Sequence, residues 1–112
     1  MSDLFTIQRS IERRNRIILS ISAYSYEYES YSMITDEEYD SLSLRIDKDM
    51  ETLEDYYDNE RRKRVIILDN FFKNKFDPHT GMWISKHPEF NLVKKHYLYC
   101  REDLELDKLC IR

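Results

Sequence analysis

Apolar residues in the first thirty positions recur at spacings of three, four and seven, and charged residues fill the positions between them. They are Leu4, Ile7, Ile11, Ile18, Ile21 and Tyr28. This period predicts a first long helix from Asp3 to about Tyr28. Residues 23–32 alternate tyrosine with polar residues, which would also suit a short strand. Because the chain offers no second strand of similar character, we favour helix through Glu27, followed by a loop.

A second apolar stripe follows Thr35. It contains Tyr39, Leu42, Ile46, Met50, Leu53 and Tyr57, and Val65, Leu68 and Phe72 continue it. No Gly or Pro interrupts residues 36–76, so one helix of about forty residues is one interpretation. The other is a break at residues 57–60, where helix formers are poorest. We favour the break, because so long a helix is rare in a small domain.

The heptad Ile34–Asp40 reads Ile-Thr-Asp-Glu-Glu-Tyr-Asp and marks the start of this helix. Thr35 is suited to cap the helix through its hydroxyl, and Glu38 to bond back to the backbone N–H of Thr35. This pair predicts a capping box. The acidic residues at positions 36–38 also favour the positive end of the helix dipole.

Residues 76–81, Phe-Asp-Pro-His-Thr-Gly, are the clearest turn signal. A last helix is expected to start near His87, with Pro88 at its first position, and to continue through Leu104 and as far as Leu109. With one Gly and two Pro in 112 residues, a sandwich or barrel with many tight turns is excluded. We therefore predict an all-α fold, a small bundle of three to four antiparallel helices, with residues 1–112 as a single domain.

The charges early in the chain, at Arg9, Glu12 and Arg13, leave no apolar run typical of a signal peptide or a membrane span, so we expect a cytoplasmic protein that does not act at a membrane. Cys100 and Cys110 would lie about 15 Å apart along one straight helix, too far for a disulfide. We expect free thiols. His96 and Cys100 share the i, i+4 spacing of metal ligands, but no second pair accompanies them, and we predict no metal site.

Charge is strongly segregated along the sequence. Residues 27–60 contain thirteen Asp or Glu and two basic residues, whereas residues 61–101 contain ten Lys or Arg and three acidic residues. Helices of opposite sign could pair within the fold, or each could face a different partner.

Tyr26 followed by Ile34–Asp40 resembles the N-terminal helical segment of NAD-dependent DNA ligases, over residues 14–55. That resemblance implies a helix–loop–helix that binds the nicotinamide mononucleotide (NMN) half of NAD, with Tyr26, Asp36, Tyr39 and Asp40 at the ligand. The family usually has His after the tyrosine, where this chain has Glu27. The chain lacks the Lys-x-Asp-Gly nucleophile motif and the catalytic domain, which excludes ligation by this chain alone.

Two further surfaces are candidates for partners. Tyrosines and carboxylates at the end of the first helix are typical of protein interfaces; they are Tyr24, Tyr28, Tyr31, Glu27 and Glu29. Arginine clusters could contact nucleic-acid phosphates; they are Arg13 and Arg14, and the run Arg61, Arg62, Lys63 and Arg64.

From these patterns we expect a non-enzymatic protein that binds a macromolecular partner, most readily another protein, in an accessory or inhibitory role of the kind that phages encode. It would use no cofactor, and self-association is also open. The first alternative is a module that binds NAD or NMN. The second is a nucleic-acid-associated protein that uses the arginine clusters, against which the sequence pI of about 5.4 argues.

Overall fold

The computed structural model describes residues 2–104, with side chains described for residues 4–100. Its elements are helix α1 at Ser2–Glu29, α2 at Asp36–Arg45, α3 at Asn59–Lys75, a short 3-10 helix at Met82–Lys86, and α4 at Phe90–Leu104. Every regular element in this part of the chain is helical, which confirms the predicted all-α bundle.

Helix α1 has nearly the predicted bounds, and the tyrosine-rich stretch is helical through Glu29. It ends because Ser30 adopts a left-handed conformation, with φ of 53°. The backbone N–H of Tyr31 then donates to the carbonyl of Ser25 at 3.1 Å, which folds the chain back toward α2.

Helix α2 starts with the predicted capping box. The backbone N–H of Glu38 donates to Thr35 Oγ1 at 3.0 Å, and the backbone N–H of Thr35 donates to Glu38 Oε1 at 2.9 Å. The predicted extent of this helix is wrong, however. It ends at Arg45, and the stretch expected to carry the stripe on to Tyr57 is irregular.

Buried charges on α1 explain why residues 46–58 leave the helix. Glu12 accepts from the backbone N–H of Asp47, and Arg16 donates to the carbonyls of Asp47 and Met50 at 2.8 and 3.1 Å. Asp69 of α3 accepts from the backbone N–H and the hydroxyl of Thr52, each at 2.8 Å. These side chains supply the backbone partners that a helix would otherwise supply, so tertiary contacts override the local helical pattern.

Helix α3 starts where the break was predicted. Asp58 caps it by accepting from the backbone N–H of Arg61 at 2.8 Å. The turn at residues 76–81 is confirmed, but the 3-10 helix after it was not predicted. Helix α4 begins three residues later than expected, after Phe90 N–H donates to the carbonyl of His87 at 3.2 Å. Leu109 lies outside the described residues.

The core surrounds the C-terminal half of α1. Helix α4 packs antiparallel to it: Phe90 lies 5.1 Å from Tyr28 and Tyr97 lies 5.4 Å from Tyr24, measured between ring centroids. On another side, Trp83 of the 3-10 helix packs among aromatic rings of α3 and the following turn, namely Phe71, Phe72 and Phe76. Aromatic packing thus fixes the C-terminal half of α1 within the bundle.

Candidate functional site

A cavity of about 220 Å³ opens between α1, the start of α2 and the turn before the 3-10 helix. Helix α1 contributes Ser22, Ala23, Tyr26 and Glu27, and the loop and α2 contribute Ser32, Met33, Ile34, Asp36 and Tyr39, while Thr80 and Gly81 close the far side. We call this the α1–α2 cavity. It is smaller than the roughly 300–1,000 Å³ of drug-sized pockets, so it suits one ring or one small charged group.

Three of the four residues that the ligase resemblance singles out line this one cavity: Tyr26, Asp36 and Tyr39. Tyr26 is 61% exposed and stands at the mouth. Tyr39 is half-buried, and its hydroxyl donates to the carbonyl of Thr80 at 3.4 Å, which ties α2 to the far wall. Asp40, the fourth residue, is exposed and is not part of the lining.

Glu27 faces the same space. A Cβ atom placed on Gly81 would lie 3.3 Å from Glu27 Oε2 and 3.5 Å from both the Tyr39 hydroxyl and Ala23 Cβ. The carboxylate and the phenol therefore converge on one point beside Gly81. The absence of a side chain at Gly81 keeps that point open, although its φ of −100° would allow other residues.

The cavity environment is electronegative. The pKa of Tyr39 is raised to about 12, chiefly by burial, and the negative charges of Glu27 and Asp40 contribute to the rise. Trp83 and Ser43 lie close enough to oppose this rise, yet neither Trp83 Nε1 nor Ser43 Oγ has a partner in hydrogen-bond geometry. Tyr39 consequently stays protonated at neutral pH and can act as a hydrogen-bond donor.

Ser22 adds a feature that sequence reasoning missed. It lines the cavity, is only 4% exposed, and its hydroxyl has no hydrogen-bond partner. Buried hydroxyls nearly always have a partner, so this one carries an unmet hydrogen bond, although its oxygen has almost no accessible surface. The only sequence signal was a Ser one helical turn before Tyr26, which is too common a pattern to single out.

The predicted tyrosine surface is partly wrong. Tyr24 is not exposed: it is 2% accessible and belongs to the core. Burial, together with the hydrogen bond that its hydroxyl donates to Glu29 at 2.7 Å, raises the pKa of Tyr24 to about 12. Tyr28 stacks on Tyr24 with centroids 5.4 Å apart, and Tyr31 is 41% exposed. In a helix, residues two positions apart point to different sides. The alternating tyrosines therefore do not share one face, and Tyr24 points inward.

The arginine clusters are largely engaged within the protein. Arg13 donates to the carbonyl of Thr52 at 2.7 Å. The guanidinium of Arg61 lies 4.1 Å from the ring centroid of Tyr57, Arg62 donates to the carbonyl of Glu54 at 3.5 Å, and Arg64 pairs with Glu89. Arg14 and Lys63 are exposed. Arg13 also lies 5.6 Å from the centroid of the Tyr57 ring, so the two clusters meet at this ring. Most of their cations already contact a ring, a carbonyl or a carboxylate of the protein.

A second space of about 200 Å³ is an apolar groove between α1, α3 and α4. Ile21, Val65, Leu68 and Leu92 contribute to its lining. The Arg64–Glu89 pair at its edge holds the pKa of Arg64 above its usual value. These rim charges pair with each other, and the accessible surface of the groove is mainly apolar.

The N-terminal half of α1 presents an uncovered apolar face. Leu4, Phe5, Ile7 and Ile11 are 58%, 57%, 56% and 54% exposed. The other side of this segment is tied to the irregular stretch, as Arg9 pairs with Glu54 at 2.9 Å. The apolar spacing was visible in the sequence, but a periodic stripe alone does not reveal which half of a helix is covered.

Among the described residues, no helix has the length and apolar character needed to cross a membrane. Within the same part of the chain, no three His, Cys, Asp or Glu side chains are grouped so as to hold a metal ion. Cys100 is buried and is a free thiol, and Cys110 lies outside the described residues.

Comparison of the chain with protein-family models, curated proteins and solved structures finds no match. The α1–α2 cavity and the exposed face of α1 are the two features of the described residues that suit a ligand or a partner.

Proposed function

We propose that this chain is a non-enzymatic protein that binds another protein through the N-terminal half of α1. The observation that supports the proposal is the set of three large apolar side chains, at positions 4, 7 and 11, that lie on one side of the helix and are each more than half exposed. Contiguous apolar surface on a small protein is typical of an interaction site.

The arrangement of this face favours a partner over accidental exposure. Leu4, Ile7 and Ile11 are spaced by three and four residues, so they share one side of the helix. Further along the same helix, Leu19 and Ala23 are buried in the core, at 0% and 1% exposure. The helix is therefore anchored at one end and offers a preformed apolar ridge at the other, which lowers the entropy lost on binding.

The charge beside the ridge indicates the character of the partner. Arg14 is exposed next to it, three residues beyond Ile11 on the same side of the helix. A protein surface with an apolar groove and an acidic rim would complement this side of α1. The tyrosine surface is a weaker candidate for this contact, because Tyr24 is buried and Tyr28 stacks on it.

Site-specific photo-crosslinking in the cell of origin tests this proposal. A photoreactive residue at Ile7 should give a discrete crosslinked protein, and the same residue at Ile67, 55% exposed on α3, should not. The crosslink should disappear when Ile11→Asp is added, while circular dichroism and the melting temperature remain unchanged. Equal crosslinking from both positions, or none from Ile7, would overturn the assignment of this face.

A second candidate function is the binding of NAD or NMN in the α1–α2 cavity. The favouring observation is that Tyr26, Asp36 and Tyr39 line the same cavity. The tyrosine rings could hold the positively charged nicotinamide and Asp36 its ribose hydroxyls. Calorimetric titration with NAD and NMN tests this function, and the saturable heat should be lost in Tyr26→Ala and Asp36→Asn. Absence of heat with either nucleotide in the unmodified chain would remove the candidate.

A further inference from the structure

The carboxylates and tyrosine rings of the α1–α2 cavity are suited to bind a cation. Glu27 and Asp36 face the space, and Tyr26 and Tyr39 supply aromatic rings. Among the residues that line it, none is Lys, Arg or His. Aromatic faces and carboxylates together attract organic cations, whereas an anion entering this cavity would meet no positive side chain.

One of the free N–H groups of α2 that could have bound a phosphate is already used. The N-terminus of a helix attracts anions through its free backbone N–H groups. At the start of α2, however, the N–H of Glu38 is bonded to Thr35 Oγ1 at 3.0 Å, and the Glu38 carboxylate bonds back to Thr35. Asp36 and Glu37 add further negative charge in the same turn. A phosphate at this position would be repelled by carboxylates that occupy its own site.

Ser22 lies in the wall of the cavity, and its hydroxyl is without a hydrogen-bond partner although the residue is only 4% exposed. Because this oxygen has almost no accessible surface, a ligand could bond to it only after the side chain turns toward the cavity. A neutral acceptor or donor, such as an amide, would then satisfy it. The acidic and aromatic lining therefore determines the class of ligand, and Ser22 offers at most one further hydrogen bond.

We propose that the α1–α2 cavity binds a small, phosphate-free organic cation of about one ring, held by Glu27 and Asp36 and stacked against Tyr26. The size of the cavity, about 220 Å³, agrees with a single-ring ligand. Tyr39 remains a donor because burial and the neighbouring carboxylates keep it protonated. The proposal uses the same cavity as the nicotinamide-nucleotide candidate. It predicts, however, that a phosphate-free cation binds more tightly than NMN, whereas the nucleotide candidate predicts the reverse.

Three probes test the proposal by NMR titration of the full chain. The probes are 1-methylnicotinamide, which carries the ring charge; nicotinamide, its neutral counterpart; and NMN, which adds ribose and phosphate. We expect 1-methylnicotinamide to bind at least about tenfold more tightly than either of the others, equivalent to about 1.4 kcal/mol. The amide signals that move should be those of Tyr26, Glu27, Asp36 and Gly81.

Two variants locate the effect. Glu27→Gln and Asp36→Asn should each weaken binding of 1-methylnicotinamide by about tenfold or more. Glu37→Gln is the matched control, because Glu37 neighbours Asp36 on α2 and does not line this cavity. An unchanged amide spectrum away from the mutated residue shows that each variant is folded, so a loss of binding reports on the site.

The outcomes separate the two proposals for this cavity. Tighter binding of NMN than of 1-methylnicotinamide would overturn the phosphate-free cation and support the nucleotide candidate. Equal binding of nicotinamide and 1-methylnicotinamide would also overturn it, since the carboxylates would then contribute nothing. Failure of all three probes to shift these amides removes both proposals, and the protein-binding function of α1 would be untouched.

Discussion

Arg16 of α1 donates through Nη1 to Oδ1 of Asp69 in α3 at 2.8 Å, and this contact joins residues 53 positions apart. The same guanidinium also donates to Glu12 at 2.7 Å and packs over the ring of Phe72 at 5.0 Å. Arg16 is 5% exposed, so these partners, and not water, stabilise its positive charge. One side chain thus links two helices and, through its bonds to the carbonyls of Asp47 and Met50, the irregular stretch between them.

Replacement of Arg16 should be strongly destabilising. In Arg16→Met the stem is retained, but Glu12 and Asp69 lose a positive partner in a buried setting. Breaking a buried pair from one side costs about 3–5 kcal/mol in the free energy of unfolding. Urea denaturation measures this loss. Arg14→Met is the control, and as an exposed change it should stay within about 0.5 kcal/mol. A loss below about 1 kcal/mol for Arg16→Met would contradict the central role of this residue.

The capping box of α2 supplies a second, smaller test. Thr35→Ala removes the acceptor for the Glu38 N–H, at a cost of about 1 kcal/mol. Glu38→Gln should cost much less, because an amide oxygen still accepts from the Thr35 N–H. Thermal unfolding of both variants gives the comparison. If the two variants lose equal stability, the charge of Glu38 and not its hydrogen bond would be the stabilising feature.

These contacts also show where sequence reasoning succeeds and where it stops. The start of α2 depends on residues within one turn of each other, Thr35 and Glu38, and it was predicted correctly. Its end depends on Arg16 and Asp69, which lie far away in the sequence, and it was predicted wrongly. Local signals fix where helices begin, whereas the partners that draw residues 46–58 out of a helix emerge only once α1 and α3 are packed together.

The candidate site follows the same division. Tyr26, Asp36 and Tyr39 were nominated from the sequence through a resemblance, and the structure brings them to one cavity. Ser22 and Gly81 were not identified from the sequence. Ser22 contributes a buried hydroxyl without a hydrogen-bond partner, and Gly81 contributes the absence of a side chain, and neither feature forms a sequence pattern. Tyr24 was predicted to be on the surface, but it is buried. The prediction was wrong because the composition of the tyrosine-rich stretch does not indicate on which side α4 packs.

His87 makes the stability depend on pH in a defined direction. The side chain is 8% exposed, and burial lowers its pKa to about 4, although Glu89 opposes the shift. Its Nδ1 accepts from the backbone N–H of Glu89 at 2.9 Å, which requires that nitrogen to be unprotonated. The unfolded chain takes up a proton near pH 6.5 and the folded chain only near pH 4. The contribution is therefore fully present above pH 6.5 and is lost as the pH falls toward 4.

The loss of stability between pH 6.5 and 4 should be smaller in His87→Gln than in the unmodified chain. The difference should be on the order of 3 kcal/mol at most, from the size of the pKa shift. Urea unfolding at several pH values measures it, and subtraction removes the contribution of the carboxylates common to both proteins. His96→Gln is the control, because His96 is exposed on α4. Identical pH profiles for His87→Gln and the unmodified chain would show that His87 is not buried as a neutral base.

The two halves of α1 should respond differently to truncation of an apolar side chain. Leu19 is fully buried, so Leu19→Ala should reduce the free energy of unfolding by about 2–5 kcal/mol. Ile11 is 54% exposed, and Ile11→Ala should cost less than about 1 kcal/mol. Sedimentation velocity over a range of concentrations gives the oligomeric state of each protein. A large loss for Ile11→Ala together with dissociation of a dimer would identify a second copy of the chain as the partner that covers this face. A large loss in a protein that is monomeric throughout would mean that the face is covered within the chain, and the proposed protein-binding ridge would have to be abandoned.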